Sequence, residues 1–252
     1  MTVANPNLAD KIKAIILNEV EKAQTQTAYR KPLIGFASAQ DPLFMELKKI
    51  IGPYHLHPRE LIPEAKTVVA FFLPFTEELV KKHRQSSGVP EEWAIAYIET
   101  NRLIASINQK LTEALAEEGI SVVVQKATHN FNEEDLTAPW SHKSVAYIAG
   151  LGTFGLHQML ITPLGVAGRL GSLVISAEIP PTPRPQTEFC LYRQKGSCQF
   201  CVRNCPTKSL TLQGLAKKNC YEHLLAVDKS FPHLDICDVC GKCAIGPCAI
   251  LP

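Results

Sequence analysis

The first 189 residues contain no cysteine, and all nine cysteines fall between Cys190 and Cys248. Nine is odd and no signal-peptide pattern precedes them, which argues against a disulfide framework. Long apolar runs are also missing, since none reaches the roughly 18 residues that a membrane-spanning helix needs. Met1–Asp10 carries neither a charged-then-apolar leader nor a twin arginine, so the expected location is the cytoplasm, where thiols stay reduced. Net charge is scarce as well. At +2 it is too small to argue for nucleic acid as a partner. Apolar residues make up 46% of the 252, enough for a sizeable core, and the length suggests a large domain plus a smaller one.

The cysteines are closely spaced. Cys198-x2-Cys201-x3-Cys205-Pro206 reproduces the second half of the ferredoxin run C-x2-C-x2-C-x3-C-P, and Cys237-x2-Cys240-x2-Cys243-x4-Cys248 reproduces nearly all of it again. Two-residue spacers let three thiolates converge on one iron–sulfur cube, while a fourth arrives from elsewhere. Because the cysteine before proline ligates the other cluster in two-cluster ferredoxins, Cys205 is expected to join Cys237, Cys240 and Cys243, and Cys248 to join Cys198 and Cys201. Lys195 stands where a standard run has cysteine, which makes Cys190 the nearest fourth ligand for that second set. Cys220 is left over, and is able to displace Cys237. Structural zinc also uses paired C-x2-C units, but normally keeps the pairs well apart and rarely adds Cys-Pro. Each cube with four thiolates carries about −2 in its oxidised form, so two of them leave no basic character to explain.

Upstream, Leu8, Ile12, Ile15, Ile16 and Val20 recur at helical spacing. Leu33–Ala37 reads as a strand, and Asp41-Pro42 opens a helix that ends near Ile51. His55 and His57 flank Leu56 as a loop pair or a metal pair. Thr67–Leu73, apolar throughout, predicts a strand covered on both faces. A long helix follows over Pro90–Gly119, then a strand over Ile120–Val124 and an irregular polar stretch over 126–139. Ser141 caps a helix running to Ala149, and Gly150, Gly152 and Gly155 then match G-x-G-x-x-G, although a helix precedes them where a dinucleotide fold requires a strand. Strands are expected over Met159–Thr162 and Leu173–Ile179, with Gly165, Gly168 and Gly171 between them. Pro180, Pro181, Pro183 and Pro185 form a stiff linker, placing a boundary near 182. Alternating strands and helices suggest a parallel sheet.

The stretch Ala138-Pro139-Trp140-Ser141-His142-Lys143-Ser144-Val145-Ala146-Tyr147-Ile148-Ala149-Gly150-Leu151-Gly152, the strand Leu160-Ile161-Thr162-Pro163 and the two cysteine runs together resemble the epoxyqueuosine reductase family and its relatives among the reductive dehalogenases. The likeness extends over roughly residues 60 to 250. It implies an α/β (α+β) chain: a nitroreductase-like, cobalamin-binding type of domain with a mixed sheet over 1–182, then a ferredoxin-like module with two 4Fe-4S clusters over 183–252. It further implies an iron–sulfur oxidoreductase, or a protein that activates a corrinoid without substrate chemistry of its own. Its partners would be a low-potential donor of ferredoxin or flavodoxin type and a small-molecule or corrinoid acceptor, with tRNA open as a substrate. The family's aspartate-serine pair before Ala-Pro is Leu136-Thr137 here, which leaves Asp135 as the nearest candidate acid. His142 is the second catalytic candidate. Gly150, Gly152, Gly155, His157 and Arg169 are candidates for holding the cofactor.

Overall fold

The computed structural model describes residues 6–126, 128–129 and 131–251, so the first five residues, and Ala127 and Asn130 of the polar stretch, lie outside it. In chain order the elements are α1 (Pro6–Glu21), β1 (Leu33–Ser38), α2 (Leu43–Ile50), α3 (Pro58–Leu61), β2 (Thr67–Pro74), α4 (Glu77–Gln85), α5 (Glu91–Ala116), β3 (Val122–Val124), α6 (His142–Ile148), β4 (Thr153–Phe154), β5 (Leu160–Ile161) and β6 (Gly168–Ile175). The cysteine segment adds α7 (Leu191–Lys195), α8 (Phe200–Arg203), α9 (Lys217–Lys229) and a 3-10 turn over Lys242–Ala244.

β2 is the axis of the main sheet, and every one of its residues is buried. A strand buried on both faces gains nothing from alternating polarity, which is why it reads as an unbroken apolar run. Val68, Ala70 and Phe72 face a layer containing Phe44 and Leu47 of α2 and Val145 and Ile148 of α6. Val69, Phe71 and Leu73 face Ile12 and Ile16 of α1 and Ile104, Ile107, Leu111 and Leu115 of α5. A third apolar cluster joins Phe75, Trp93, Ala96 and Ala167 to Ile245 and Ala249, so the cysteine segment packs directly on the sheet domain.

Two sheet expectations are corrected. The order is β1-β2-β6-β3 and each adjacent pair is antiparallel, so the sheet is neither parallel nor mixed. The reason lies in one insertion. β2 and β3, joined through α4 and α5, do run parallel to each other, as alternation predicts, but β6 enters the gap between them and opposes both. β6 also starts at Gly168, not at Leu173, and stops at Ile175. Its glycines belong to the strand: a Cβ on Gly171 would run into the Phe71 ring of β2 and into Ile104 of α5. The expected linker is held as well, because Thr182 exchanges hydrogen bonds with Phe36 of β1 through its backbone N–H and its hydroxyl.

Candidate functional site

The nine thiols sort into two groups and one outlier. Cys190, Cys198, Cys201 and Cys248 line a small space of about 20 Å³, between α7, α8 and the end of the chain, and Cys243 borders this space as well as the next. Cys205, Cys220, Cys240 and Cys243 stand on the wall of a larger cavity of about 540 Å³ that opens toward the sheet domain. Each group takes a cysteine from the other run, as the ferredoxin crossover requires: Cys248 sits with the first run and Cys205 with the second. The structure does not bring Cys237 to either group. Its backbone N–H donates to Asp228 Oδ1 at 2.6 Å, and its side chain packs with Ala94, Tyr97 and Phe231. Cys220, on α9, stands where Cys237 was expected. The signal for it was Cys220, Leu224 and Val227 at helical spacing, within a helix that the sequence reading passed over.

Thiols crowded in this way oppose one another's ionisation. Burial, then Cys240, Cys220 and Cys201, pushes Cys243 up to about 12. Burial, then Cys190, Cys201 and Cys198, does the same to Cys248. Only a cationic centre between them would reverse that balance. Cys205 is the exception: burial raises it, but N–H groups of Leu210, Thr207 and Ser209 and the Thr207 hydroxyl outweigh burial and leave its pKa lowered. Among the described residues, no three His, Cys, Asp or Glu side chains are close enough together to hold a single ion.

The cysteine loop is clamped from the sheet domain. His83 of α4 donates from Nε2 to the Cys240 carbonyl at 2.7 Å, and Arg84 donates to the carbonyls of Ile245 and Gly246 at 2.7 and 3.2 Å. In return, buried Lys242 donates to the carbonyls of His83 and Ser86, at 2.9 and 2.6 Å, at the C-terminal end of α4, where carbonyls lack helical partners. His83 stays neutral, its pKa lowered to about 4 by burial and then by Lys242.

Opposite the thiols, the cavity wall carries Trp93, Tyr97, Phe131, Trp140, His142, Lys143, His157, Arg169 and Asp238. Arg169, from the start of β6, stacks 4.2 Å over Tyr97 and donates from Nε to Asn101 Oδ1 at 2.8 Å. Tyr97 in turn donates to Asp238 Oδ1 at 2.6 Å. The buried guanidinium is thus balanced by a carboxylate through a phenol, and burial holds Tyr97 protonated well above the usual range. The sequence reading missed Tyr97 and Asp238 because they are 141 residues apart.

His142 is on the wall, but both its nitrogens are in use. Nε2–H donates to the Lys126 carbonyl at 2.9 Å, which leaves Nδ1 to accept from the Ser172 hydroxyl at 2.8 Å. Ser172 itself accepts from Trp140 Nε1 at 3.0 Å. Burial lowers the His142 pKa, against the Lys126 carbonyl, which raises it, and with nearby Arg169, which lowers it. His157 accepts at Nδ1 from the Met159 N–H at 3.1 Å and places Nε2 3.5 Å from Cys248 Sγ. Burial, then Lys143 and Arg193, lowers its pKa to about 4.

Asp135 is exposed and outside the cavity wall, accepting from the Thr137 N–H and hydroxyl at 3.0 and 2.5 Å. None of the three motif glycines lines the cavity. Gly150 presses on the backbone of 182–183 and Gly152 on that of Ile161, while Gly155 lies against the His157 ring. His55 and His57 are neither a metal pair nor a solvated one. His55 is fully buried and accepts the Ser141 N–H at Nε2. His57 caps α3 through the Arg59 N–H.

An antiparallel sheet between helical layers, with a thiol-rich segment closing a cavity at its end, defines a class of fold. It is the fold of epoxyqueuosine reductases and reductive dehalogenases. A solved epoxyqueuosine reductase covers 94% of this chain and is itself covered to 65%, at 18% identity and a TM-score of 0.58. A structure of that enzyme with an epoxyqueuosine-modified tRNA-Tyr stem loop covers 85%, is covered to 57% and is 19% identical, with a TM-score of 0.54. A reductive dehalogenase structure, whose description concerns B12-dependent dehalogenation, covers 83%, is covered to 26% and is 15% identical, also at 0.54.

No protein-family model matches the chain. Among curated proteins, the epoxyqueuosine reductase of Listeria monocytogenes is 28% identical over 214 residues, which is 76% of this chain and 52% of that protein. That of Bacillus anthracis is 28% identical over 229 residues, 80% of this chain and 56% of that protein. The chain is a divergent relative of epoxyqueuosine reductase, and it spans about half the length of the curated relatives it matches.

Proposed function

We propose that this chain is an iron–sulfur oxidoreductase with a ferredoxin-like module of two 4Fe-4S clusters, one held by Cys190, Cys198, Cys201 and Cys248 and the other by Cys205, Cys220, Cys240 and Cys243. The observation that carries the reading is the exchange of Cys205 and Cys248 between the two thiol groups. A tetrahedral zinc draws its sulfurs to roughly 3.8 Å of one another, from bonds of about 2.3 Å, whereas a cube holds its four ligands farther apart on outward-facing irons. Four sulfurs that share a wall without closing on a single ion suit the cube. The donor set, all thiolate, suits it too.

The cavity beside the second group is where a corrinoid or an organic substrate would lie. Its volume falls within the range of cofactor sites, and Trp93, Tyr97, Phe131 and Trp140 give it aromatic walls. His142 and His157 both have their nitrogens committed, so neither offers a free one to a metal there. When bound, the clusters supply single electrons at low potential and a corrinoid supplies a reducible cobalt. The chain's own part is to hold these groups and to keep the Tyr97 phenol and the Arg169 guanidinium at the wall. Asp135 reaches that wall only if the hydrogen-bonded turn over 132–137 opens, which favours a second reading: a protein that passes electrons to a corrinoid partner without transforming a substrate itself. A tRNA substrate comes into the proposal from the stem-loop complex alone.

Anaerobic reconstitution tests the reading. We expect about eight irons per chain and a broad absorbance near roughly 400 nm that dithionite bleaches. About one or two metal atoms, with zinc among them, would overturn it. Cobalamin or a modified stem loop added to the same preparation then separates the two functional readings by whether substrate turns over.

A further inference from the structure

We propose that His157 is a positioning residue for electron affinity, donating Nε2–H to Cys248 Sγ and so raising the reduction potential of the cluster held by the thiol group that contains Cys248. The inference rests on the cluster reading above.

Three observations place that hydrogen bond. The Met159 N–H points at Nδ1 from 3.1 Å. A nitrogen that accepts cannot carry the proton, so in the neutral ring the hydrogen is on Nε2, the atom 3.5 Å from Cys248 Sγ. The ring is 4% exposed, so no water competes for the donor. Gly155 makes room for it: a Cβ there would lie 2.5 Å from the ring Cε1 and 2.8 Å from Nε2. The segment Gly155 to Met159 therefore fixes both the position and the tautomer of the imidazole, and β4 and β5 on either side hold it as a tight turn. His157 is also the imidazole that borders both thiol cavities.

One-electron reduction adds a negative charge that spreads over a cluster and its thiolates. A hydrogen bond to a ligand sulfur stabilises that added charge more than it stabilises the oxidised form, which raises the potential.

The test uses the reconstituted holoprotein, titrated with dithionite and followed by EPR, with iron counted beside each potential. In His157→Leu, one of the two couples should shift to a more negative potential while the other stays. His157→Gln, which retains an N–H donor, should recover part of the shift. Gly155→Ala, which keeps the imidazole and all nine thiols but pushes the ring away from Cys248, should move the same couple in the same direction. Unchanged couples in His157→Leu at full iron would overturn the proposal, as would both couples moving together or Gln behaving like Leu. If His157→Leu does not assemble, Gly155→Ala decides: a shifted couple supports the proposal and an unshifted one ends it. A wild-type protein without two reducible clusters would instead defeat the cluster reading.

Discussion

At the scale of single residues, chemistry was readable where it is local and hidden where it is shared. Cysteine spacing predicts that the thiols gather because two-residue loops are a local device, and eight of the nine line two neighbouring cavities, Cys243 bordering both. Spacing could not separate Cys220 from Cys237, since the choice depends on whether α9 or the 237 loop faces the cavity. In the structure Asp228 and the apolar side of α5 hold Cys237 away. Replacing Cys220 by Ser should therefore cost one cluster, about half the iron of the reconstituted protein, whereas Cys237→Ser should retain all of it. Iron analysis beside EPR reads both, and iron loss from Cys237→Ser with none from Cys220→Ser would reverse the assignment. His142 shows the opposite pattern, because its neighbourhood in the sequence points to catalysis while Ser172 and the Lys126 carbonyl occupy both its nitrogens.

At the scale of elements, periodicity located α1, α2, α5, α6 and β1, and an unbroken apolar run located β2, because each carries a regular pattern of the residues it buries. It passed over α4 and α9, whose exposed polar residues dilute the pattern, and it broke β6 at its glycines. Those glycines are a packing requirement. Gly171 lies beneath Phe71, a fully buried ring of the neighbouring strand, so Gly171→Ala forces that ring and Ile104 aside. Overpacking of this kind costs about 1–3 kcal/mol. Urea denaturation should show a lower midpoint with an unchanged slope, whereas a midpoint equal to wild type would mean that the sheet and α5 separate more readily than their packing implies.

At the scale of the whole molecule, the cysteine segment and the sheet domain are tied together through α4. The tie includes five side-chain hydrogen bonds from His83, Arg84 and Lys242, and beside α4 the Trp93 indole of α5 lies against Gly241. Arg30 adds donors to the carbonyls of Leu164 and Leu251, at 2.7 and 3.2 Å. With apolar contact from Phe75 to Ala249 beneath these bonds, the two segments should unfold as one cooperative unit. On anaerobic heating, helical ellipticity and cluster absorbance are expected to fall together. Cluster absorbance lost well before ellipticity would show that the cysteine segment opens by itself. Among the described residues, no helix is long and apolar enough to cross a membrane.

By itself, the sequence determined the tight cysteine runs, the doubly buried strand and the long helix against it, because each is a pattern among residues within a few turns or loops of one another. Only tertiary structure decided three other things: the strand that slips between β2 and β3 and makes the sheet antiparallel, the cysteine on α9 that completes the second group, and the pairing of Tyr97 with Asp238 and Arg169. Each joins residues dozens of positions apart or more. No spacing rule reaches that far, since such contacts follow from which faces are buried together once the chain has closed on itself.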